Sequence, residues 1–396
     1  MKKESKASIL LGAAFLMATS AIGPGFLTQT THFTSILAAS FGFVILTSII
    51  IDIGAQMNVW RIIAVSEKRA QDIANAVLPG LGVFLAVLIV IGGLAFNIGN
   101  IAGAGLGLNV LFGVSPTMGA VLSGIVAILV FVVREAGKAM DRFTQVAGFV
   151  MIALTVYVMF TAQPPVGEAV VKTFVPDTID ILAIVTLVGG TVGGYITFAG
   201  AHRLLDAGIK GKENLGEVTK GSISAIGIAS IMRIFLFLAA LGIVSQGLAL
   251  DPKNPPASVF QLAAGNIGYK MFGVVMWAAA ITSVVGAAYT SVSFIRTLNA
   301  TLEKYHKWII IGFIAISTIV FALVGKPVAI LILVGALNGL ILPISLGVML
   351  IAAYKPKIVG DYKHPMWMTV FGAVIVLIMA AMSVYTMYTE VPKLFA

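Results

Sequence analysis

The sequence contains no cysteine, only four histidines and few charged residues. Without cysteine, neither a disulfide nor a thiolate metal site can form. Asp, Glu, Lys and Arg together make up 10% of the 396 residues, against roughly 25% in an ordinary soluble domain. Hydrophobic residues make up 59%. This balance excludes an ordinary water-soluble fold and predicts a chain built for a lipid bilayer.

Long apolar runs follow one another along the whole chain, separated only by short loops. A transmembrane helix needs about 20 mostly apolar residues. Because no loop is long enough for a soluble domain, we predict one transmembrane domain over residues 1–396 and an all-α polytopic fold. Eleven spans are predicted, near residues 8–30, 36–58, 80–107, 117–133, 143–162, 178–201, 220–245, 268–295, 307–324, 327–353 and 366–388.

The net charge of +9 is distributed unevenly between alternate loops. Such a bias marks the cytoplasmic side of a membrane protein, so the excess predicts topology and no nucleic-acid partner. We predict a cell (inner or plasma) membrane location, with the N-terminus cytoplasmic and the C-terminus outside. That side then holds nineteen of the 25 basic residues, namely Lys2, Lys3, Lys6, Arg61, Lys68, Arg69, Arg134, Lys138, Arg142, Arg203, Lys210, Lys212, Lys220, Arg296, Lys304, Lys307, Lys355, Lys357 and Lys363.

Two spans are interrupted by glycine near their midpoints. The first contains Gly23-Pro24-Gly25, and the sixth contains four glycines within residues 189–194. Interrupted spans in corresponding positions indicate a transporter site built from discontinuous helices, although glycine also serves close helix packing. Because the two lie five spans apart, we predict inverted repeats over about 8–162 and 178–353, followed by an extra helix at 366–388.

The first interruption has a direct consequence for backbone polarity. Pro24 offers no N–H and obstructs the preceding turn, so Ala21, Ile22 and Gly23 should present free carbonyls. The amides of residues 25–27 should then begin a half-helix. The positive end of a helix favours an anion.

Three motifs resemble the NRAMP divalent-metal transporters. The sequence FNIGNIAGAGLGLNVLFG at residues 96–113 is similar to their third span, QMNVWR at 56–61 to the end of their second, and LILP at 340–343 to their tenth. The resemblance covers most of the chain. It implies a five-plus-five inverted-repeat fold with broken helices 1 and 6, and one additional span.

The motifs that hold the metal in that family are replaced here. Its first-span Asp-Pro-Gly-Asn reads Gly-Pro-Gly-Phe at residues 23–26, and its sixth-span Ala-x-x-Met-Pro-His-Asn reads GTVGGYI at residues 190–196. The third-span acidic pair has become Asn97 and Asn100. The tenth-span glutamine falls on Gly335, and the seventh-span asparagine on Arg233. The resemblance therefore implies the scaffold without its ionic site.

The altered site suits an organic anion better than a metal ion. A divalent cation needs oxygen, nitrogen or sulfur ligands, usually with a carboxylate, and no carboxylate lies within a turn of either break. We predict an ion-coupled, alternating-access transporter of a small carboxylate-bearing, amino-acid-like solute, for example 5-oxoproline or an amino acid. The alternative is a Mg²⁺ or Mn²⁺ transporter of the NRAMP type. The predicted substrate-binding residues are Gly23, Gly25, Phe26, Leu27, Gln29, Thr191, Gly193, Gly194, Tyr195 and Thr197.

Ionisable residues inside spans are costly and mark function by default. For coupling or gating we predict Asp52, Asn97, Asn100 and Arg233. Asp52 either pairs with a base such as Arg203 as an inner gate, accepts a proton, or is simply solvated near the interface. Arg233 either forms a structural ion pair or carbonyl clamp, or faces the cavity and helps to hold an anion. The coupling ion is H⁺ or Na⁺.

No enzyme motif accompanies these features. The chain lacks the Gly-x-x-x-x-Gly-Lys-Ser/Thr loop of ATP-driven pumps and the His-Glu-x-x-His of zinc proteases. A channel or a transport-dead sensor remains open as another class. We expect no enzyme activity, no cofactor, no bound metal, a small-molecule substrate, the lipid bilayer as environment and a functional monomer.

Overall fold

The computed structural model describes residues 21–296 and 300–389, together with positions 10 and 392. In this part of the chain the regular elements are fifteen α-helices and two 3₁₀ turns, at Ala38–Ser40 and Lys212–Asn214. The helices are α1 Pro24–Leu37, α2 Phe41–Ser66, α3 Ala70–Val77, α4 Leu81–Phe112, α5 Pro116–Val132, α6 Arg134–Thr161, α7 Val166–Phe174, α8 Ile181–Val192, α9 Ile196–Asp206, α10 Leu215–Ser245, α11 Pro255–Arg296, α12 Ala300–Val324, α13 Pro327–Ala352, α14 Pro356–Val359 and α15 Met366–Thr389.

The all-helical membrane architecture is confirmed. By length and composition, eight helical segments of the described chain can cross a membrane, or nine if the bent pair at 146–174 is one span. This count takes Pro24–Ser66 as one segment and leaves out Pro116–Val132 as too short. The number eleven and the inverted repeat stay predictions. The first half of the predicted span 8–30 lies outside the described residues, apart from position 10.

Helix ends follow local chemistry. Helix α4 ends at Gly113, whose φ of 72° is left-handed, a conformation that glycine adopts without a Cβ penalty. Helix α5 begins with Pro116. The hydroxyl of the preceding residue, Ser115, accepts a hydrogen bond from the amide of Met118 at 3.2 Å. Asp180 caps α8 in the same way through the amide of Ala183 at 2.8 Å. These caps satisfy amides that the first helical turn leaves unpaired.

Helix α4 runs through the centre of the molecule and packs against α5, α11, α12 and α13. Glycines allow the closest of these approaches. A Cβ at Gly107 would lie 2.9 Å from the backbone nitrogen of Trp277 on α11, and one at Gly103 would collide with the ring of Pro24. Small residues at helix contacts let backbones approach in membranes, where packing replaces the hydrophobic driving force. Helix α4 thereby holds the start of α1 in place.

The loop before α15 is tied to α2 by a chain of hydrogen bonds. Asn58 donates to the carbonyls of Gly54 and Met368, at 2.8 and 3.2 Å, so its Oδ1 must accept from His364 Nε2 at 2.8 Å. The other ring nitrogen of His364 lies 3.1 Å from the Tyr362 hydroxyl, which accepts from Arg61 Nε at 3.2 Å. Burial, aided by the charge of Arg61, lowers the pKa of His364 to about 4. The imidazole is therefore neutral at pH 7.

Candidate functional site

Both helix breaks border one cavity at the middle of the molecule. Helix α1 begins at Pro24 with Gly23 as its N-cap, and the sixth predicted span is divided between α8, which ends at Val192, and α9, which begins at Ile196. The interruption of the sixth predicted span is therefore observed, and α1 begins at the position predicted for the first break. The space inside the cavity has a volume of about 10 Å³, about enough for one water molecule. Of the predicted site residues it is lined by Gly23, Gly25, Phe26, Gln29, Asn100 and Tyr195.

The first-span backbone is more fully bonded than the sequence predicted. The amide of Leu27 donates to the carbonyl of Gly23 at 3.2 Å, and the amide of Gly23 donates to the carbonyl of Ala21 at 2.9 Å. The prediction that these groups are free was therefore wrong for the Leu27 amide and for the carbonyls of Ala21 and Gly23. The amides of Gly25 and Phe26 lie in the first helical turn, where no intrahelical acceptor exists. They are the donors that α1 offers to an anion.

The two glycines of the first break leave room where a side chain would fit. A Cβ at Gly23 would lie 3.6 Å from Asn100 Oδ1 and 3.7 Å from Ser283 Oγ, and one at Gly25 would lie 3.5 Å from Gln29 Nε2. These are ordinary contacts, and Gly23 has an extended backbone that any residue adopts. Neither backbone strain nor a clash requires glycine here. The absence of side chains instead keeps the cavity open.

Gln29 crosses the space between the two broken spans and α13. Its Nε2 donates to the carbonyl of Leu331 at 2.8 Å, while its Oε1 is buried without a hydrogen-bond partner. A Cβ at Gly335 would lie 2.7 Å from Nε2, and one at Gly190 would lie 2.7 Å from Oε1. The missing side chains at positions 190 and 335 thus make space for Gln29, which aims an unsatisfied acceptor into the site.

An aromatic wall closes the side of the cavity formed by α4 and the sixth-span break. Tyr195 is 4% exposed, and its ring meets Phe96 edge to face with centroids 5.7 Å apart. Leu331 and Val334 of α13 complete the apolar lining. The sequence motifs included Phe96 but did not mark it as a site residue. Only the packing of α4 beside the break reveals this role.

Arg233 lies behind Phe26, outside the cavity lining. Its side chain is 3% exposed, its Cζ lies 4.3 Å from the Phe26 ring centroid, and Nη1 donates to Thr191 Oγ1 at 3.2 Å. Nε and Nη2 have no hydrogen-bond partner. These two nitrogens form one edge of the guanidinium, the edge that matches a carboxylate with two parallel hydrogen bonds. A buried cation next to both breaks therefore keeps its carboxylate-binding edge free.

One interpretation of the sequence paired Asp52 with Arg203, and the structure contradicts it. Arg203 is exposed, whereas Asp52 is 1% exposed, which also excludes an interfacial, solvated Asp52. Asp52 lies on α2, which packs against α10, the helix that carries buried Arg233. Asp52 Oδ1 has no hydrogen-bond partner. The sequence held no signal that these two helices pack together.

Two glycines of the second break, Gly193 and Gly194, pack against Asn338 and do not line the cavity. A Cβ at Gly193 would lie 2.6 Å from the carbonyl oxygen of Asn338, and one at Gly194 would collide with Asn338 Oδ1. Gly194 also has a φ of 56°, which disfavours other residues. These two glycines shape the break and do not line the cavity. Asn338 was absent from the sequence prediction, and its own amide donates to the carbonyls of Gly92 and Val334.

The remaining predicted residues lie near the site without lining the cavity. Leu27 is packed in the apolar core. Thr191 receives the Arg233 bond and itself donates to the carbonyl of Leu187 at 2.8 Å. The Thr197 carbonyl accepts a hydrogen bond from Trp60 Nε1 at 2.8 Å, whereas the Thr197 hydroxyl has no hydrogen-bond partner. The side-chain oxygen and nitrogen of buried Asn97 also lack partners. The polar groups near the breaks are thus incompletely satisfied.

The described residues contain no group of three or more His, Cys, Asp or Glu side chains placed to hold a metal ion. The polar groups around the cavity are backbone amides and the side chains of Asn100 and Gln29, and the charged group nearby is the guanidinium of Arg233. A dehydrated divalent cation would meet no carboxylate and a like charge, which is costly in a low-dielectric site.

Comparison with known proteins places the chain among membrane proteins of one family. The sequence profile of the Nramp family, described as natural resistance-associated macrophage protein-like, matches residues 14–389. The chain is 68% identical over 395 residues to the Bacillus subtilis (strain 168) protein described as "Uncharacterized membrane protein YcsG", covering 100% of this chain and 98% of the relative.

Two solved structures share the fold at low identity. A mutant of the manganese transporter of Eremococcus coleocola matches with a TM-score of 0.75 at 14% identity, covering 100% of this chain and 90% of the other. MhsT in complex with L-phenylalanine matches with a TM-score of 0.64 at 17% identity, covering 95% and 97%. From the profile match over most of its length, the chain belongs to the Nramp family and is a multi-span membrane transporter.

Proposed function

We propose that this transporter carries a small carboxylate-bearing, amino-acid-like solute, for example 5-oxoproline or an amino acid, by ion-coupled alternating access across the cell membrane. The observation that carries the proposal is the free Nε–Nη2 edge of Arg233, buried beside both helix breaks. Leaving the donors of a buried charged group without acceptors is costly. A substrate carboxylate is the group that would satisfy this edge with two charge-assisted hydrogen bonds.

The cavity supports the same chemistry. The amides of Gly25 and Phe26 provide the positive end of a helix for a carboxylate. Gln29 Oε1, an unsatisfied acceptor, suits an amino or lactam N–H. Phe96 and Tyr195 provide an apolar wall for the body of the solute. Movement of the Phe26 ring would connect the cavity with Arg233, which lies on the other side of that ring.

The assignment of residues follows from this geometry. We propose that Gly23, Gly25, Phe26, Gln29, Asn100 and Tyr195 bound the solute, with Arg233 as the carboxylate partner and Thr191 as its positioning residue. Leu27, Thr197, Gly193 and Gly194 shape the breaks. The single domain over residues 1–396, the two repeats, the cytoplasmic N-terminus and the monomeric state belong to the same proposal.

The second candidate is a divalent metal ion, Mg²⁺ or Mn²⁺. Family membership favours it, together with the fold shared with a manganese transporter. The donor set around the breaks disfavours it, because no carboxylate, histidine or methionine lines the cavity. A metal held there would rest on amide oxygens, backbone carbonyls and water.

The test is thermal stabilisation of the purified protein by two panels of ligands. One panel contains Mn²⁺ and Mg²⁺, and the other contains amino acids and small carboxylates including 5-oxoproline. A ligand that binds the native state raises the melting temperature by mass action. We expect a shift with a carboxylate and none with either metal. A shift with metal alone would overturn the proposal.

Variants of Arg233 test whether this residue binds the carboxylate. Arg233→Gln should abolish the carboxylate shift, because removing one partner of a buried charged hydrogen bond costs about 2–5 kcal/mol. Arg233→Lys keeps the charge but not the fork, so it should bind weakly. Arg203→Gln is the matched control, since Arg203 is exposed on α9. Equal carboxylate shifts in all three variants would contradict the assigned role.

A further inference from the structure

We propose that a second pocket, at the end of the bundle where α4 and α10 finish, is a binding site for a free amino acid in its zwitterionic form. It lies between the end of α4, the start of α5, the loop after α10 and α11, and we call it the Asn254 pocket after its buried asparagine. Its volume is about 270 Å³, close to the lower end of the range of about 300–1,000 Å³ for small-molecule sites. The inference goes beyond the proposed function and uses none of its residues.

The Asn254 pocket is separate from the cavity at the helix breaks. Leu106 lines the pocket and Asn100 lines the cavity, and no described residue lines both. The two residues are six positions apart on α4, which is about 9 Å along the helix at 1.5 Å per residue. The cavity has room for about one water molecule. Of the two spaces, the pocket is therefore the one with room for a solute in this conformation.

A kink in α11 forms one wall of the pocket. Gly265 lies inside this helix with a φ of 62°, a conformation that glycine adopts without a Cβ penalty. Phe260 and Phe272, on opposite sides of the kink, stack with ring centroids 4.7 Å apart, although twelve residues of straight helix would span about 18 Å. The chain therefore folds back, and Ser258 and Tyr269 line the same pocket.

The buried side chains of the pocket offer hydrogen-bond donors. Asn254 is 6% exposed, and its Oδ1 accepts from the amide of Ala257 at 3.4 Å, while its Nδ2 has no hydrogen-bond partner. The Ser258 hydroxyl accepts from the amide of Asp251 at 3.0 Å, which leaves its own proton available for donation. An unpaired buried donor is costly. Two such donors at the positive end of α11 match a carboxylate.

The other polar groups of the pocket favour an ammonium group. Asn109 donates through Nδ2 to the carbonyl of Val114 at 2.8 Å, so its Oδ1 is an acceptor. Asp251 Oδ1 accepts from the amide of Lys253 at 2.9 Å, which leaves Oδ2. Asp251 and Lys253 are exposed, and neither forms a salt bridge among the described residues. The pocket therefore carries one negative and one positive charge, both without an ionic partner.

This combination matches a solute that carries both charges. An anion alone would be repelled by Asp251, and a cation alone by Lys253. The carboxylate of an amino acid would accept from Asn254 and Ser258, close to the positive end of the helix. Its ammonium would donate to Asp251 and Asn109. Such charge-assisted hydrogen bonds are roughly twice as strong as neutral ones.

The rest of the lining selects a neutral side chain. Leu106, Pro116 and the ring of Tyr269 provide its apolar surface. Apart from Asp251 and Lys253, no charged residue of the described chain lines the pocket. A charged side chain would therefore find no further ionic partner.

Equilibrium dialysis of the purified full chain tests the site. The probes are labelled alanine and leucine. The competitors are N-acetylalanine, which lacks the ammonium, and alanine amide, which lacks the carboxylate. Binding is measured in the wild type and in Arg233→Gln, which removes the carboxylate partner proposed for the cavity. We expect both proteins to bind the amino acids. Each analogue should compete at least about tenfold more weakly, the effect of losing one charge-assisted hydrogen bond.

Variants of the pocket separate its two halves. Asn254→Asp keeps the Oδ1 that caps α11 and replaces the free donor by an acceptor, so it should bind alanine at least about tenfold more weakly. Asp251→Asn keeps the acceptor for the Lys253 amide and removes the charge, so it should bind N-acetylalanine as well as it binds alanine. Asp72→Asn, at an exposed position of α3, is the matched control and should bind as the wild type does.

The outcomes keep this inference apart from the proposed function. A wild type that binds neither amino acid overturns the inference, and so does equal competition by either analogue or unchanged binding in Asn254→Asp. Alanine binding that is lost in Arg233→Gln and kept in Asn254→Asp would place the amino acid in the cavity and also overturn it. The proposed function falls separately, if no carboxylate shifts the melting temperature. Alanine bound by the wild type and lost in Asn254→Asp would then still support the pocket.

Discussion

The ring of Phe26 lies over the guanidinium of Arg233, with Cζ 4.3 Å from the ring centroid. The phenylalanine comes from the start of α1 and the arginine from the middle of α10, so the contact joins a broken span to an unbroken one. Phe26 also lines the cavity. The ring therefore separates the cavity from the buried charge and stabilises that charge in the empty protein.

Replacing this ring tests its two roles. A desolvated cation–π contact contributes about 2 kcal/mol, so Phe26→Leu should lower the melting temperature of the empty protein while keeping most of the apolar volume. Leucine makes no cation–π contact with the guanidinium. Binding of the carboxylate to Arg233 should therefore restore much of the lost melting temperature. Melting curves with and without the carboxylate measure both effects. Phe26→Tyr is the control, and an unchanged melting temperature in Phe26→Leu would contradict the contact's importance.

Side chains introduced at the first break should fill the cavity without unfolding the protein. At Gly25 a Cβ meets only ordinary contacts, so Gly25→Val should fold and reduce uptake at least about tenfold, the effect of a 1.4 kcal/mol loss in binding. Gly227→Ala on α10 is the control, since nothing lies within 4 Å of its Cβ position. Uptake and melting temperature are measured together. Normal transport by Gly25→Val would show that the break does not bind the solute.

Glycines that serve packing should behave in the opposite way. A Cβ at Gly189 of α8 would collide with the carbonyl oxygen of Gly335 on α13 and lie 2.8 Å from the Cα of Gly339. Overpacking of this kind costs about 1–3 kcal/mol, so Gly189→Ala should lower the melting temperature. The same Gly227→Ala variant should be neutral or slightly stabilising, because alanine favours a helix over glycine by up to about 1 kcal/mol. Equal stability of the two variants would refute the close approach.

The loop before α15 should make stability depend on pH. His364 has a pKa of about 4 in the folded protein because of burial and Arg61, against about 6.5 in an unfolded chain. Above pH 6.5 both states are neutral and the histidine has no effect. Between pH 6.5 and 4 the unfolded state binds the proton and the folded state does not, so the free energy of unfolding falls as pH falls.

Melting temperatures between pH 7.5 and 5 measure this loss. His364→Gln removes the titrating group and keeps an amide able to donate to Asn58 Oδ1, so its melting temperature should decline less over the same range. His306→Gln, at a partly exposed position of α12, controls for loss of a histidine. A wild-type decline that persists fully in His364→Gln would show that protonation of His364 is not part of it.

Several features of the fold and site followed from local sequence. The apolar runs predicted the helices because each run is longer than the bilayer core requires. The break at Pro24 was predictable because proline removes an amide and obstructs the preceding turn, and the break at residues 193–195 because four glycines lie together. The loss of metal ligands was likewise visible as residue identities at positions 23–26.

Other features depend on which helices touch. Gly193 and Gly194 contact Asn338 of α13, and Gln29 occupies the space that Gly190 and Gly335 leave, a relation among three helices distant in sequence. The sequence offered Arg203 as a partner for Asp52, and only the burial of Asp52 and the exposure of Arg203 excluded that pair. Composition and periodicity report how a segment meets lipid, water or other helices. They do not report which neighbour it meets.

The sequence by itself determined that this is a helical membrane protein of the Nramp family with two interrupted spans and no acidic metal ligands at the breaks. These properties depend on residue identity and local backbone chemistry, which short motifs preserve. Only the tertiary structure decided that Arg233 turns a free hydrogen-bonding edge beside both breaks, under Phe26. That arrangement depends on the packing of α1, α8 and α10, and hence on contacts between residues up to about 200 positions apart.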